Sequence, residues 1–88
     1  MPDADTARYK VMLLNDDETP MEFVVHVLEE FFGTTSEQAM RLMLSIHNKG
    51  IGECGTFPRT LAEQKVADVS ALARERKFPL QCVMEEVA

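Results

Sequence analysis

The chain has no tryptophan, one tyrosine and only two cysteines in 88 residues. Cys54 and Cys82 are too few, and too far apart in sequence, to staple a small disulfide-held domain. The fold must therefore rest on apolar packing, and the two residues read as reduced thiols of a cytoplasmic protein. No C-x-x-C or H-x-x-x-H pair links them to His26 or His47, and zinc sites usually show such local spacing. No metal and no other cofactor is expected. Positive charge is also scarce: nine Lys and Arg stand against fifteen Asp and Glu, a formal net charge of −6. Phosphate affinity comes from clustered Lys and Arg, so nucleic acid is not an expected partner. No run of ~18 apolar residues is present to span a bilayer. The opening MPDADTARYK holds no apolar signal core, so neither membrane insertion nor export is expected. Also missing are a glycine-rich phosphate loop and a nucleophile elbow, and Cys54 in GECGT has no catalytic signature around it. Carboxylates and a histidine without a nucleophile or metal do not make a catalytic set, and the expectation is that the chain is not an enzyme.

What is present fits one small α+β domain. Hydrophobic residues make up 45% and charged residues 27%, enough for a modest core in a chain of this length. Residues 1–8 are polar and are expected to form a loose tail, with 9–88 a single domain. Tyr9 to Leu14, YKVMLL, reads as a buried strand followed by a polar turn. Thr19-Pro20-Met21-Glu22 then carries a helix-start signal, with Thr19 as cap, Pro20 in the first helical position and Glu22 closing a capping box. The inward stripe of this helix is Met21, Val24, Val25, Leu28, Phe31 and Phe32, and Gly33 ends it. Thr35 to Gln38 opens a second helix with a similar box; Ala39, Leu42, Met43 and Ile46 face inward and Gly50 closes it. IGECGTF reads as a second strand. Thr60 to Glu63 starts a third helix running to about Lys77, Thr60 with Glu63 making a capping box, with Ala62, Val66, Val69 and Ala73 inside and Leu61 and Leu72 at the flanks. LQCVMEEV, from Leu80, makes a last strand. The order β-α-α-β-α-β predicts a small three-stranded antiparallel sheet packed against three helices.

One stretch asks a functional question. LLNDDETPMEF places Asn15, Asp16, Asp17 and Glu18 between a strand end and a helix start. Such acids commonly complement a helix macrodipole. A second use is open to them. Met43 and His47 are four apart and share one helix face. A short connection makes the first two helices antiparallel or steeply angled, and an antiparallel pair sets the start of one beside the end of the other. His47 would then stand near the acidic turn, beside a hollow walled by methionine. An ammonium on an apolar side chain suits that arrangement, since a carboxylate, an amide oxygen and a neutral imidazole nitrogen can accept its three N–H groups. Charge-assisted bonds contribute ~1.5–3 kcal/mol each, and burial of the side chain adds about 1.5–3 kcal/mol. That permits micromolar affinity, roughly −8 kcal/mol, after association entropy. The bland alternatives are that the methionines are core filler and that His47, like His26, is structural. On these grounds alone the chain reads as a small acidic α+β interaction domain.

YKVMLLNDDETPMEFVVHVLEEFF resembles the ClpS family, adaptor proteins of the bacterial Clp AAA+ protease. MLSIHNKGIGECGTF, LAEQKV and FPLQCVMEE fit the same family in the same order, so the likeness runs from about Tyr9 to Glu86. The resemblance implies a bacterial cytoplasmic adaptor that binds N-degrons, proteins beginning with Leu, Phe, Tyr or Trp, and hands them to the ClpA unfoldase of ClpAP. It implies that the substrate's α-amino group is bound by the set Asn15, Asp16, Asp17 and His47, with Asp16 holding the loop or meeting the peptide backbone. It implies a side-chain pocket walled by Leu13, Thr19, Met21, Val24, Met43, Ile46 and Leu80, with Met21 as the gate against β-branched first residues. Glu63 and Lys65 match the unfoldase-docking surface. His47 is expected to accept as a neutral ring, so its protonation should weaken binding. Three positions depart from the pattern: Glu18 where Tyr is common, Thr60 where an acid is common, and eight residues before Tyr9 where a longer extension is usual. The alternative is a scaffold that docks on a AAA+ or other partner through the third helix without degron recognition.

Overall fold

The structure, a computed structural model, describes residues 7–87; of the tail expected over residues 1–8, residues 1–6 lie outside the described residues. Strand β1 (Arg8–Leu14) is followed by helices α1 (Met21–Phe32) and α2 (Ser36–Lys49), strand β2 (Ile51–Pro58), helix α3 (Arg59–Glu75) and strand β3 (Gln81–Glu86). The sheet has the order β2-β1-β3 with both pairs antiparallel. The expected α+β order is thus the observed one. β1 takes the centre because it is the most apolar strand: Val11 and Leu13 are fully buried, and Met12 nearly so. Alternation sends Val11 and Leu13 into the core shared with all three helices. On the opposite face Lys10 pairs with Glu85 across the sheet at 3.8 Å. Cys54 is the extra residue of a bulge in β2, between the pairs Val11–Gly55 and Met12–Glu53.

Three of the helix boundaries are locally encoded as expected. Thr35 and Gln38 form a reciprocal capping box: the Gln38 N–H donates to the Thr35 hydroxyl at 3.1 Å, and the Thr35 N–H donates to Gln38 Oε1 at 3.0 Å. Gly33 and Gly50 both adopt left-handed φ, 65° and 85°, where L side chains are disfavoured, and close α1 and α2. Two other boundaries correct the sequence reading. Pro20 and Pro58 are the N-cap residues of α1 and α3, in extended conformation and with no side-chain cap. The Thr19–Glu22 and Thr60–Glu63 boxes do not form. Thr19 turns its hydroxyl back to Asp16, while Glu63 pairs with Arg59 one turn before it at 3.4 Å. The core of α1 also differs, with Phe23 and Val27 inside and Met21 46% exposed. α3 stops at Glu75 because Lys77 takes φ 63°, and the Phe78 N–H then bonds back to the Ala73 carbonyl.

Gly50 is the pivot that sets up the site. It turns the end of α2 directly into β2, and β2 pairs with β1 from Leu14–Ile51 onward. The Asn15 N–H extends this ladder by one bond, donating to the Gly50 carbonyl at 2.9 Å. The loop leaving β1 is thereby tied to the last turn of α2.

Candidate functional site

Three chain segments meet around a cavity of about 150 Å³: the loop after β1, the first turn of α1 and the last turns of α2. Asn15, Asp16, Asp17 and Thr19 come from the loop. Met21 and Val24 come from α1, and Met43, Ile46 and His47 from α2. The lining combines polar groups with methionine and branched aliphatic carbon. Val24, Met43 and Ile46 are buried at its base, whereas Asn15, Asp17 and His47 are exposed at its mouth. A cavity of ~150 Å³ is enough to take a benzene ring.

The two neighbouring aspartates have different environments. Asp16 directs its acceptors into its own loop. Oδ1 accepts the Glu18 N–H at 2.9 Å and the Thr19 N–H at 2.7 Å, while Oδ2 accepts the Thr19 hydroxyl at 2.7 Å. This is the Asx-type closure that lets a short acidic loop hold one shape. Partial burial opposes ionisation of Asp16, but the bonds from Thr19 and Glu18 outweigh it and hold the carboxyl below its ordinary 3.8. Among the described residues, the side chains of Asn15, Asp17 and His47 enter no hydrogen bond or ion pair. They therefore present an amide oxygen, a carboxylate and an imidazole to whatever enters the cavity. Asp16 acts as the brace of this group; its oxygens are already engaged.

The depressed acidity of Asp16 has a measurable consequence. Its contribution to the loop is fully present above pH 3.8 and is lost as the pH falls through the lower folded value. The amide protons of Glu18 and Thr19, followed by NMR during acid titration, are expected to shift with a midpoint below 3.8. A midpoint at or above that value would refute the brace.

The other expected site residues are placed apart from this cavity. Leu13 is fully buried in β1, and Leu80, 6% exposed, lines a different hollow between α3 and β3. Neither lines the cavity. Glu63 and Lys65, two apart on α3, are turned about 200° from one another, so one flat face does not present both. Glu63 is exposed beside Arg59. Lys65 runs inward, donating its ammonium to the Phe31 carbonyl at the end of α1 and lying 5.7 Å from the centroids of both the Phe32 and Phe57 rings. A cation at the carbonyl end of a helix is favourable, so Lys65 clamps α1, β2 and α3 together. Burial pushes the thiols of Cys54 and Cys82 up to about 12, with Cys82 adding to the effect at Cys54; neither is a nucleophile near neutral pH. The described residues contain no group of three His, Cys, Asp or Glu suited to a metal ion, and no helix long and apolar enough to cross a membrane.

A small cavity that joins unpartnered polar acceptors to an apolar wall, carried on an α+β frame, suits a binding module. Comparison with known proteins makes the assignment specific. Residues 4–83 match the family model described as ATP-dependent Clp protease adaptor protein ClpS. The ClpS adapter of Brucella canis is 58% identical over 78 residues, covering 89% of this chain and 67% of that protein. ClpS of Hyphomonas neptunium is 59% identical over 78 residues, covering 89% of this chain and 66% of that protein. The chain thus spans about two thirds of the length of these relatives. A solved structure of Agrobacterium tumefaciens ClpS2 bound to L-phenylalaninamide superposes with a TM-score of 0.89 at 38% identity, covering 92% of this chain and 98% of that one. The chain belongs to the ClpS family of ATP-dependent Clp protease adaptor proteins.

Proposed function

We propose that the cavity binds the free α-amino group and the bulky apolar side chain of a substrate's first residue, Leu, Phe, Tyr or Trp, as an N-degron adaptor in the bacterial cytoplasm. One observation carries this reading: free acceptors from Asn15, Asp17 and His47 converge on the same ring-sized hollow that Met21, Val24, Met43 and Ile46 wall. The ligand of the Agrobacterium relative supports it, since L-phenylalaninamide joins a free amine to a benzyl group, as a peptide beginning with Phe does. An α-amino group with a pKa of ~7.7–8.0 is mostly charged near neutrality. Asn15, Asp17 and His47 take its three N–H groups, Asp17 supplies the countercharge, and Asp16 with Thr19 keeps the loop in shape. Met21, at the rim, narrows the entrance. The bound substrate passes to a ClpA-type AAA+ unfoldase, with exposed Glu63 on the docking face and Lys65 holding α3 against the end of α1 and against β2.

The test is fluorescence anisotropy with a labelled peptide beginning with Phe, beside its N-acetylated twin. Acetylation removes the charge and two of the three donors, leaving Asp17 desolvated without a cation. The free amine is expected to bind saturably at micromolar concentration or tighter, and the acetylated peptide roughly 100-fold more weakly. Equal binding of both peptides, or of neither, would overturn the proposal.

A further inference from the structure

Beside the cavity, a groove of about 340 Å³ runs between α1 and α2, lined by Met21, Val25, Met40 and Met43 with Glu22 at its edge. Met21 and Met43 also wall the cavity, so the two hollows share one partition. Met21 and Met40 are 46% and 50% exposed. Single exposed apolar residues are ordinary, but here two of them line one groove contiguous with a binding cavity, and that is where exposed apolar surface marks recognition. Methionine also suits a site that must accept side chains of differing shape, because its unbranched thioether repacks readily.

We propose that this groove is a second subsite, which takes an apolar side chain at the second residue of the peptide whose first residue fills the cavity. The inference rests on the first-residue reading of that cavity. Continuity across the partition identifies the occupant. Successive side chains of an extended peptide point to opposite sides, and their Cα atoms are only ~3.8 Å apart. A chain lying along the Met21–Met43 partition therefore drops its first side chain into the cavity and its second into the groove. An apolar second residue buries itself there and covers Met40; glycine in that position leaves Met40 in water.

Met40 makes the proposal testable, because it lines the groove and not the cavity, and its exposure makes Met40→Ser tolerable to the fold. Labelled peptides beginning Phe-Leu and Phe-Gly are compared by anisotropy on the wild type and on M40S, with unlabelled L-phenylalaninamide as competitor. The wild type is expected to bind the Phe-Leu peptide about 5- to 10-fold tighter than the Phe-Gly peptide. M40S should lose most of that preference while L-phenylalaninamide competes equally well on both proteins. Equal affinities on the wild type, or a uniform loss for both peptides on M40S, would overturn the second subsite and leave the first-residue reading standing. Failure of L-phenylalaninamide to compete at all would overturn both.

Discussion

Asp17→Ala is expected to weaken binding of a peptide with a free N-terminal Phe by about 10- to 100-fold, the equivalent of one charge-assisted hydrogen bond. The melting temperature should stay unchanged, because the Asp17 side chain is exposed and makes no hydrogen bond or ion pair among the described residues. The neighbouring substitution Asp16→Ala removes the loop's internal acceptor, so it weakens binding indirectly by releasing the loop backbone. A double-mutant cycle distinguishes direct contact from such disorder. If Asp17 meets the ammonium, the N-acetylated peptide, already deprived of that charge, should be indifferent to Asp17→Ala. An equal proportional loss for free and acetylated peptides would show that Asp17, too, acts only through loop shape. Asp17→Asn should fall between the two, retaining an acceptor oxygen without the charge.

Gly52→Ala is the substitution expected to damage fold and site together. A Cβ at position 52 would lie 2.3 Å from Ile46 Cγ1 and 3.1 Å from its Cδ1, with Leu42 Cδ1 at 3.3 Å. Ile46 is 2% exposed and has little room to move. Either Ile46 changes rotamer or α2 lifts from β2, and overpacking of that kind costs about 1–3 kcal/mol. A domain of this size should then melt roughly 5–20 °C lower. Because Ile46 also walls the cavity, peptide affinity of the folded fraction should fall as well. Gly55→Ala is the matched comparison. Its Cβ would meet the Phe57 ring at 2.7 Å, farther along β2 from the cavity than Gly52. It should lower the melting temperature while leaving affinity intact. Loss of affinity in both variants alike would mean that the cavity depends on global stability and not on the α2–β2 spacing at Gly52.

Much of the frame was legible in the sequence because it is encoded locally. YKVMLL is a short, largely apolar run with a polar turn after it, the mark of a buried strand, and it became the central one. Thr35 with Gln38, Gly33 and Gly50 are boundaries that a few residues settle among themselves, and each acts where the pattern puts it. The Thr19 and Thr60 boxes failed for an instructive reason. Each is a threonine with an acid three residues on, but the chain offers those groups better partners: Asp16 for the Thr19 hydroxyl and Arg59 for Glu63. Helical periodicity likewise put Met21, Val25, Phe31 and Phe32 on an inward stripe of α1. The observed stripe is rotated toward Phe23 and Val27, because the angle at which a helix meets its sheet is a property of the whole packing and not of its own sequence.

By itself, then, the sequence determined the order of elements, most of the core, and the candidate acids, methionines and histidine, since composition, periodicity and capping act over distances of a few residues. Only the tertiary structure decided how those candidates divide their work. Asp16 and Asp17 are chemically the same residue side by side; the path of the loop backbone makes the first a brace and leaves the second free. Glu63 and Lys65 look like one docking motif, but the helix turns them apart, and the packing of α1 against α3 draws the Lys65 ammonium to the Phe31 carbonyl. Met21 and Met40, nineteen positions apart, come to line one groove because Gly33 and the Thr35 cap fold α2 back along α1. Contacts between residues distant in sequence depend on where all the intervening elements pack, and for that reason no short stretch could carry them.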